Sequence, residues 1–441
     1  MVFVPHTPTE KKEMLAALGI AFIDDLFRDL PPKLRLSGEL SLGPGFSEAE
    51  SYKKLTALAE KNKTLDEVIC FRGAGAYQHY QPHAVKQLMA RSEFYTAYTP
   101  YQPEISQGTL QAIFEYQTSI CELTGMDVAN ASHYDGATAL AEAALLAVNV
   151  TRRKKIAASS LLHPEYQATL NTYLKRKGVE IIWLESKNGV TVLPEVNDEL
   201  AAVLIASPNF LGCVEDFSPF ASVIHQEGGL LIACVDPLSL GILESPGKMG
   251  ADLVVGEGQS LGLPLNFGGP YLGFMACRQK YMRQLPGRIV GQTVDEQGRR
   301  GYVLTLQTRE QHIRRERAGS NICSNQSLCA LEATVYLALL GPQGLAEVAK
   351  QCLFKSHYAR EQLSKIPGVR PVYSTPFFRE FVVETSEHPL KINQRLWEKG
   401  ILGGLPLGKY NSAWEHHLLV CVTEMRTKEE IDQLVQVWKG A

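Results

Sequence analysis

Short apolar runs alternate with amphipathic stretches through the middle of the chain, and this pattern predicts buried strands separated by helices. Helices are predicted over Leu110–Leu123 and Ala137–Val150. The predicted strands are Lys155–Ser159, Glu180–Leu184, Ala202–Ala206, Leu230–Val235, Leu253–Val255 and Leu272–Cys277. Runs this short and this apolar are typical of an α/β fold with a mostly parallel sheet flanked by helices.

The two ends of the chain carry different patterns. Near the start, the capping boxes of Thr7 and Ser47 open two helices with Pro31 and Pro32 between them, so residues 1–65 are predicted to form a helical arm. Near the end, the predicted elements are helices over Ser327–Leu340 and Gly344–Ile366, strands over Glu380–Glu384 and Leu418–Val422, and a helix capped by Thr427. We therefore expect a large domain over residues 66–325 and a smaller C-terminal α+β domain over residues 326–441.

Composition argues against several classes of function. The 441 residues carry a net charge of -3 without a long basic run, so a nucleic-acid partner is not expected. No signal pattern or run of about 18 apolar residues is present, which argues against a membrane protein. The nine cysteines are scattered, and the adjacent His416 and His417 would point to opposite faces of a strand. We therefore expect no metal site and no disulfide framework, and a reducing, cytoplasmic location.

Two segments are rich in basic residues. Arg152–Lys155 is interpreted as the solvated end of a helix rather than as a binding patch. Arg309–Arg317 is predicted to be a charged helix with arginines three or four positions apart. Such a helix presents a solvated, salt-bridged face, or else it anchors anions or contacts another subunit, and the pattern alone leaves these alternatives open.

Asp236 is the first candidate site residue. It directly follows the predicted strand Leu230–Val235, and ligands of open α/β sheets collect at the carboxyl ends of strands. A carboxylate in this place could pair with a pyridinium nitrogen and keep it protonated. The alternative is that Asp236 only caps the turn before Pro237.

A second candidate lies just before the alanine-rich helix. Small residues such as Gly136 and Ala137 at a helix start leave backbone N–H groups free to hold a phosphate. His133 could stack on an aromatic ring in the same site. The alternative is an ordinary helix cap, because Asp135 and Thr138 both suit capping.

The densest polar and aromatic cluster is the segment Phe94–Gly108. It contains Tyr95, Tyr98, Tyr101 and Glu104 together with two prolines, and it has little hydrophobic periodicity. Such a segment is a poor core element, and loops of this kind on a rigid scaffold usually bind something. We therefore predict a functional loop, with a purely structural Ω-loop as the alternative.

The region Met249–Gln279 is notable for a residue that it lacks. It reads as a strand, a polar turn and a glycine-proline loop, over Ala251–Gly256, Glu257–Ser260 and Gly268–Pro270, as around the cofactor lysine of a pyridoxal-phosphate enzyme. Such an enzyme needs a lysine amine there to hold its cofactor as a Schiff base. None occurs between Lys248 and Lys280, so we expect this chain to work with a partner that supplies one.

Several long motifs resemble those of the glycine cleavage system P-protein family, the decarboxylating glycine dehydrogenases. They are Gly73–Tyr77 with His79–Tyr80, Tyr98–Gly108, Tyr134–Ala139, Gly258–Gly262, Leu285–Gly291, Leu306–Arg315 and Ser320–Cys323. The resemblance spans nearly the whole chain and is closest to the family's lysine-less subunit. It implies a fold-type-I pyridoxal-phosphate-dependent transferase fold.

The same resemblance implies a reaction and partners. The lysine-less subunit assembles with a homologous, pyridoxal-phosphate-bearing subunit 2 as an α2β2 tetramer. Together they decarboxylate glycine and transfer its aminomethyl group to the lipoyl arm of the H-protein. The partner's lysine corresponds to a position near Gln259 here, so this chain is implied to bind no cofactor covalently and to be inactive alone.

Two groups of site residues follow from the resemblance. The loop is expected to cross into the partner's active site and to position glycine or line the path of the lipoyl arm through Tyr95, Tyr98, Tyr101, Gln102, Glu104 and Ser106. A vestigial cofactor pocket, where a phosphate could still lodge, is expected around His133, Gly136, Ala137, Thr138, Asp236, Gln259 and Ser260.

Two other functions fit the same sequence. The chain could be a purely structural or regulatory subunit that brings no residue into the partner's site. It could also be a self-sufficient pyridoxal-phosphate enzyme that uses Lys248 or Lys280, although each of these lies a strand or loop away from the expected position.

Overall fold

The structure, a computed structural model, describes residues 5–36, 38, 40–322 and 325–440 and contains two compact units, Met1–Lys63 and Thr64–Ala441. The first unit carries helices α1 (Pro8–Ala17) and α2 (Glu48–Ala59), and the predicted capping boxes of Thr7 and Ser47 are confirmed. None of its described residues is buried. This unit therefore has no hydrophobic core of its own.

The second unit contains the remaining helices and all the strands. Its helices are α3 (His83–Met89), α4 (Gln107–Thr124), α5 (Gly136–Thr151), α6 (Pro164–Lys175), α7 (Ser218–Gln226), α8 (Gln311–Arg314), α9 (Ser327–Leu363), α10 (Pro389–Trp397) and α11 (Lys428–Lys439). Its strands are β1 (Ile69–Cys70), β2 (Val128–Ala129), β3 (Lys155–Ser159), β4 (Glu180–Leu184), β5 (Ser186–Lys187), β6 (Val190–Thr191), β7 (Leu200–Ser207), β8 (Leu230–Val235), β9 (Leu253–Glu257), β10 (Gly273–Cys277), β11 (Ile289–Val294), β12 (Arg300–Thr305), β13 (Val369–Pro371), β14 (Glu380–Thr385), β15 (Ile401–Leu402), β16 (Leu405–Pro406) and β17 (His417–Cys421).

The central sheet has seven strands in the order β2-β10-β9-β8-β7-β3-β4. The five strands from β9 to β4 pair in parallel, and only β10 runs antiparallel to its two neighbours. The prediction of a mostly parallel sheet is confirmed. All six predicted strands belong to this sheet and begin and end within two residues of the expected bounds, while the short strand β2 was not predicted.

Two apolar layers enclose this sheet. Alternate side chains of β7 enter opposite layers, so Val203 and Ile205 pack on one face while Ala202 and Leu204 pack on the other. The alanine-rich helix α5 covers the second face and buries nine of its residues. Because both faces are covered, every residue of β7 and β8 is buried.

Helix α9 joins this domain to a smaller one. Its first part packs Ala330, Ala333 and Tyr336 against the central sheet, and its last part packs Ala359 and Leu363 into a second core. The helix breaks at a glycine, Gly341, with a φ of 61°, which agrees with the predicted interruption. The second core lies under the antiparallel sheet β13-β14-β17-β16 with helices α10 and α11, so the predicted smaller α+β element is confirmed.

One helix of the described residues, α9, is long and apolar enough to cross a membrane when only length and composition are considered. The core helix of a globular protein passes the same test, and α9 contributes buried side chains to both cores.

Two features differ from the predictions. The hairpin β11–β12 was not expected, because only the first two residues of β11 are buried and its last three are exposed, so the run carries little apolar signal. The predicted single helix over Arg309–Arg317 is wrong. Three short turns replace it, and positive φ angles of 54° at Leu306 and 52° at Arg315 interrupt the helical path.

Candidate functional site

A cavity of about 80 Å³ lies at the carboxyl ends of β7, β8 and β9. Its walls come from residues that follow these strands, from the loop Ala74–Tyr77, from the start of α6 and from Glu380 of the smaller sheet. Three of the predicted site residues line it, namely Asp236, Gln259 and Ser260. The sequence therefore located the strand ends that form this site.

Gln259 holds two parts of the cavity wall together. Its side chain is 1% exposed, and its Oε1 accepts a hydrogen bond of 2.8 Å from the Tyr77 N–H. Its Nε2 donates to the carbonyl oxygens of Tyr77 at 2.9 Å and Leu263 at 2.8 Å. Both amide protons are therefore used within the chain, and an amide forms no Schiff base.

The side chain of Glu257, the last residue of β9, contacts the start of helix α5. Its Oε2 accepts a hydrogen bond of 3.0 Å from the Gly136 N–H, and its Oε1 accepts one of 2.8 Å from the Leu272 N–H. Burial raises the pKa of the Glu257 carboxyl to about 7. The Gly136 N–H, one of the backbone donors that we expected to be free for a phosphate, is thus bonded to this chain's own side chain.

Asp236 acts both as a turn cap and as a charge partner. Its Oδ1 accepts hydrogen bonds from the Leu238 N–H at 3.1 Å and from the Ser260 hydroxyl at 2.9 Å. Its Oδ2 forms an ion pair with the buried guanidinium of Arg379. The ring of Tyr77 lies 3.4 Å from the guanidinium carbon. A protein cation therefore stands where a pyridinium nitrogen was expected, and an aromatic side chain covers it.

The Arg379 ion pair continues into a buried polar network. Arg379 donates to His79 Nε2 at 2.6 Å, and His79 Nδ1 lies 2.6 Å from a Glu424 carboxylate oxygen. Burial opposes ionisation of Glu424, but His79 and backbone donors outweigh it and lower the pKa to about 2. Ligand-type atoms of His79, Cys352 and Glu424 lie within 4.8 Å of one another. Because Arg379 already supplies a cation to this cluster, the geometry favours an ion-pair network over a metal site.

His133 does not reach the cavity. Its side chain is fully buried, and neither ring nitrogen has a hydrogen-bond partner within the described ranges. Burial lowers its pKa to about 3, so the ring is neutral. Thr138, with Ala137 beside it in the first turn of α5, is capped by Asp135 through a 2.7 Å bond to the Thr138 N–H. The capping alternative describes this segment better than a ring-stacking site.

A covalently held pyridoxal phosphate does not fit this cavity. No lysine lines it, the Gly136 donor is occupied, and Asp236 is already paired. Ligand pockets usually measure about 300 Å³ or more, so the 80 Å³ here is small. Lys248 and Lys280 do not line it, and they pair instead with Glu244 at 3.1 Å and Asp252 at 3.3 Å. The self-sufficient alternative has no support in this geometry.

The loop Phe94–Gly108 lies elsewhere, and none of its residues lines the cavity. Tyr95, Tyr98 and Tyr101 are 60%, 86% and 47% exposed, and Gln102 and Glu104 are also exposed. Ser106 is the exception, because it is buried at the start of α4. The polar and aromatic side chains of this loop therefore face outward from a fixed base.

Gln107 anchors that base. Its amide accepts from the Tyr302 N–H at 2.8 Å and donates to the Tyr302 carbonyl at 2.8 Å, so the loop is tied to strand β12. The predicted helix Leu110–Leu123 begins a turn earlier than expected, at Gln107, and continues to Thr124. The loop is held at both ends by regular structure.

Tyr101 connects the loop to the second basic segment. Its ring meets His312 edge-on at 5.7 Å, and its hydroxyl accepts a hydrogen bond of 3.4 Å from Arg288. Arg288 lies 4.0 Å from Glu310, which also lies 3.6 Å from His312. Three motifs that are far apart in sequence therefore meet at one surface. Cys323, the last residue of the motif Ser320–Cys323, lies outside the described residues.

Several site residues escaped the sequence reasoning. Tyr77 and Glu380 line the cavity, and Arg379 pairs with Asp236 of its wall. Arg379 and Glu380 are distant in sequence from the strand ends that they meet, and no local sequence pattern indicates this contact. The sequence does contain a signal that could have indicated Glu257 as a site residue. It ends an apolar strand two residues before Gln259, where a buried carboxyl group needs donors.

Comparison with known proteins gives a consistent family assignment. The family model for the glycine cleavage system P-protein matches residues 1–438. A probable glycine dehydrogenase (decarboxylating) subunit 1 from Desulforamulus reducens is 57% identical over 438 residues, which is 98% of each chain. A protein of the same name from Moorella thermoacetica is 55% identical and covers 100% of this chain and 99% of its own.

Solved structures agree with these relatives. A crystal structure of glycine decarboxylase (P-protein) of the glycine cleavage system, in inhibitor-bound form, matches with a TM-score of 0.91 and 47% identity over 100% of both chains. A glutamate decarboxylase from Lactobacillus brevis matches at 12% identity with a TM-score of 0.68 over 92% of this chain and 95% of its own. The predicted fold-type-I transferase fold is confirmed.

Proposed function

Because the chain belongs to the glycine cleavage system P-protein family, we propose that it is the subunit of a decarboxylating glycine dehydrogenase that holds no cofactor of its own. It works with a homologous subunit 2 that carries pyridoxal phosphate, in an α2β2 assembly, and it passes the product group to a lipoylated H-protein. The eight cysteines among the described residues are free thiols, which suits a cytoplasmic location.

The observation that carries this proposal is the state of Gln259. The resemblance puts the lysine of the family's active subunit near this residue, and three hydrogen bonds to Tyr77 and Leu263 hold the glutamine in place. Glu257 and Arg379 fill the neighbouring anion and ring positions. A chain built in this way contributes to catalysis only through a partner's site.

The reaction conserves atoms and electrons without an added oxidant. The bond between the glycine Cα and its carboxylate breaks, CO2 leaves, and a bond forms between Cα and one sulfur of the oxidised lipoyl disulfide. The S–S bond breaks and the second sulfur takes a proton. Pyridoxal phosphate in the partner supplies the electron sink for the carbon–carbon cleavage.

The share of this chain in that reaction falls to the loop. Tyr95, Tyr98, Tyr101 and Glu104 are exposed on a base fixed by Gln107. Aromatic and carboxylate side chains of this kind position a small amino acid or line the path of the lipoyl arm. Gln102 is exposed beside them, while Ser106 is buried where helix α4 begins.

Purification of the chain alone and with its partner tests the subunit assignment. We expect the chain alone to be colourless and inert, and the pair to be yellow and to exchange label between glycine and bicarbonate. A yellow, exchanging single chain would contradict the proposal.

Two conservative loop variants test the role of the loop. Tyr101→Phe and Glu104→Gln each remove polar chemistry at nearly constant size, and we expect kcat/KM for glycine to fall by about tenfold or more in the assembled pair. The matched controls are Tyr80→Phe and Glu398→Gln, which alter exposed residues outside the loop. If the loop variants and the controls behave alike, the purely structural alternative is the better description.

A further inference from the structure

A second, larger cavity of about 730 Å³ lies between the end of α5, the turn at Arg283–Gly287 and the segment Arg309–Ile322. Six cations line it without a carboxylate within ion-pair distance in the part of the chain that the structure describes, namely Arg152, Lys154, Lys177, Arg283, Arg309 and Arg314. Among the described residues, Glu142 and Glu310 are the carboxylates that line the cavity and oppose them. Burial raises the pKa of Glu142 to about 7, which weakens its opposition near neutral pH. The cavity is therefore strongly electropositive.

The hydrogen bonds of Arg309 show that this chain satisfies only part of that positive charge itself. Its Nη1 donates to the Leu285 carbonyl, but Nε and Nη2 are buried and have no hydrogen-bond partner among the described residues. Burial lowers its pKa. The positive charge of Arg309 is therefore not balanced by hydrogen bonds within the described residues, and it adds to the positive potential of the cavity.

The cavity adjoins the proposed functional loop. Glu310 lines the cavity, and it also lies 4.0 Å from Arg288, which donates to the Tyr101 hydroxyl. A molecule seated in the cavity would therefore stand next to the surface that we assign to the partner's active site. A molecule bound in the cavity would therefore lie close to the place where the aminomethyl group is transferred.

We propose that this cavity docks an acidic face of the lipoyl-bearing carrier protein, an inference that rests on the proposed function. A carrier must dock and leave in every turnover, and charge steers such transient encounters without demanding a large apolar contact. The lining cations come from four separate segments of the chain, and this spread suits an extended acidic surface rather than one small oxyanion. Arg152 and Lys154, interpreted from sequence as a solvated helix end, become part of a binding surface.

The test uses the assembled pair and a fluorescently labelled carrier. The double variant Lys154→Glu with Arg283→Glu reverses two exposed rim charges, and Lys391→Glu with Lys399→Glu makes the same change on exposed residues that do not line the cavity. We expect the rim variant to raise the Kd of the carrier and its KM by about tenfold or more. We expect the control variant to leave the Kd and the KM within twofold of the values for the unmodified pair. Added salt is expected to weaken carrier binding by the unmodified pair more than carrier binding by the rim variant.

A second acceptor separates this inference from the proposed function. With oxidised lipoic acid in place of the carrier, we expect the ratio of carrier-dependent to free-acceptor rates to fall about tenfold in the rim variant. An unmodified pair that is inactive with both acceptors would defeat the proposed function, while the Kd comparison would still test the docking surface. An unchanged Kd would overturn the inference, as would loss of assembly with the partner or displacement of the carrier by inorganic phosphate alone.

Discussion

The cavity at the strand ends and the surface around Tyr101 use similar side chains but satisfy them differently. In the first, Asp236 meets Arg379, Glu257 meets backbone N–H groups, and Gln259 uses both its amide protons within the chain. In the second, Arg309 keeps buried donors idle and the loop tyrosines are exposed. The first region is thus closed by its own side chains, as expected of a vestigial ligand site, whereas the second keeps polar groups available, as expected of a surface that serves another protein.

The largest expected effect comes from breaking the closed region. Arg379→Met removes the buried guanidinium and leaves the half-buried Asp236 without its cation. We expect it to lower the free energy of unfolding by about 3 kcal/mol or more. Urea denaturation of the full chain measures this. The double variant with Asp236→Asn removes both charges and is expected to recover most of the loss. A single variant as stable as the unmodified chain would show that the ion pair does not hold this region together.

The second-largest expected effect is a pH dependence of the free energy of unfolding, caused by Glu142 in the electropositive cavity. The pKa of Glu142 is raised to about 7 from an ordinary value of 4.5, so between these values the folded chain keeps a proton that the unfolded chain releases. Stability from this group is therefore complete at low pH and is lost as the pH rises through about 7. We expect Glu142→Gln to retain up to about 3 kcal/mol that the unmodified chain loses between pH 5 and pH 8. Parallel pH profiles of the urea midpoint would disprove this.

A somewhat smaller effect is expected at the lysine position. Gln259→Met keeps the size of the side chain but leaves the Tyr77 N–H and two carbonyl groups without their partner. We expect a loss of about 2–3 kcal/mol in the free energy of unfolding, measured by the same denaturation. A neutral result would mean that water in the cavity replaces the amide fully.

The smallest effect sharpens the contrast between the regions. Glu104 is exposed, so Glu104→Gln should change the free energy of unfolding of this chain by less than about 0.5 kcal/mol. The same variant is expected to lower kcat/KM in the pair. A large stability loss would instead place Glu104 in the support of the loop.

The sequence predicted the fold well because the signals were local. Apolar runs located the strands of the central sheet, and Asp236 and Gln259 followed from their places after strands. The pairing of Asp236 with Arg379 and the stacking of Tyr77 depend on the smaller domain docking against the strand ends, which no local pattern reports. The helix predicted over Arg309–Arg317 failed because charge spacing says nothing about the backbone reversal at Arg315.

The central claim is that this chain serves a site whose cofactor is held by its partner. Borohydride reduction of the active pair, followed by mass spectrometry of the peptides, would fix the cofactor to the lysine that carries it. We predict a single pyridoxyl-lysine, in the partner, and no modified peptide from this chain. A pyridoxyl group on any lysine of this chain, with Lys248 and Lys280 the first to inspect, would contradict the account.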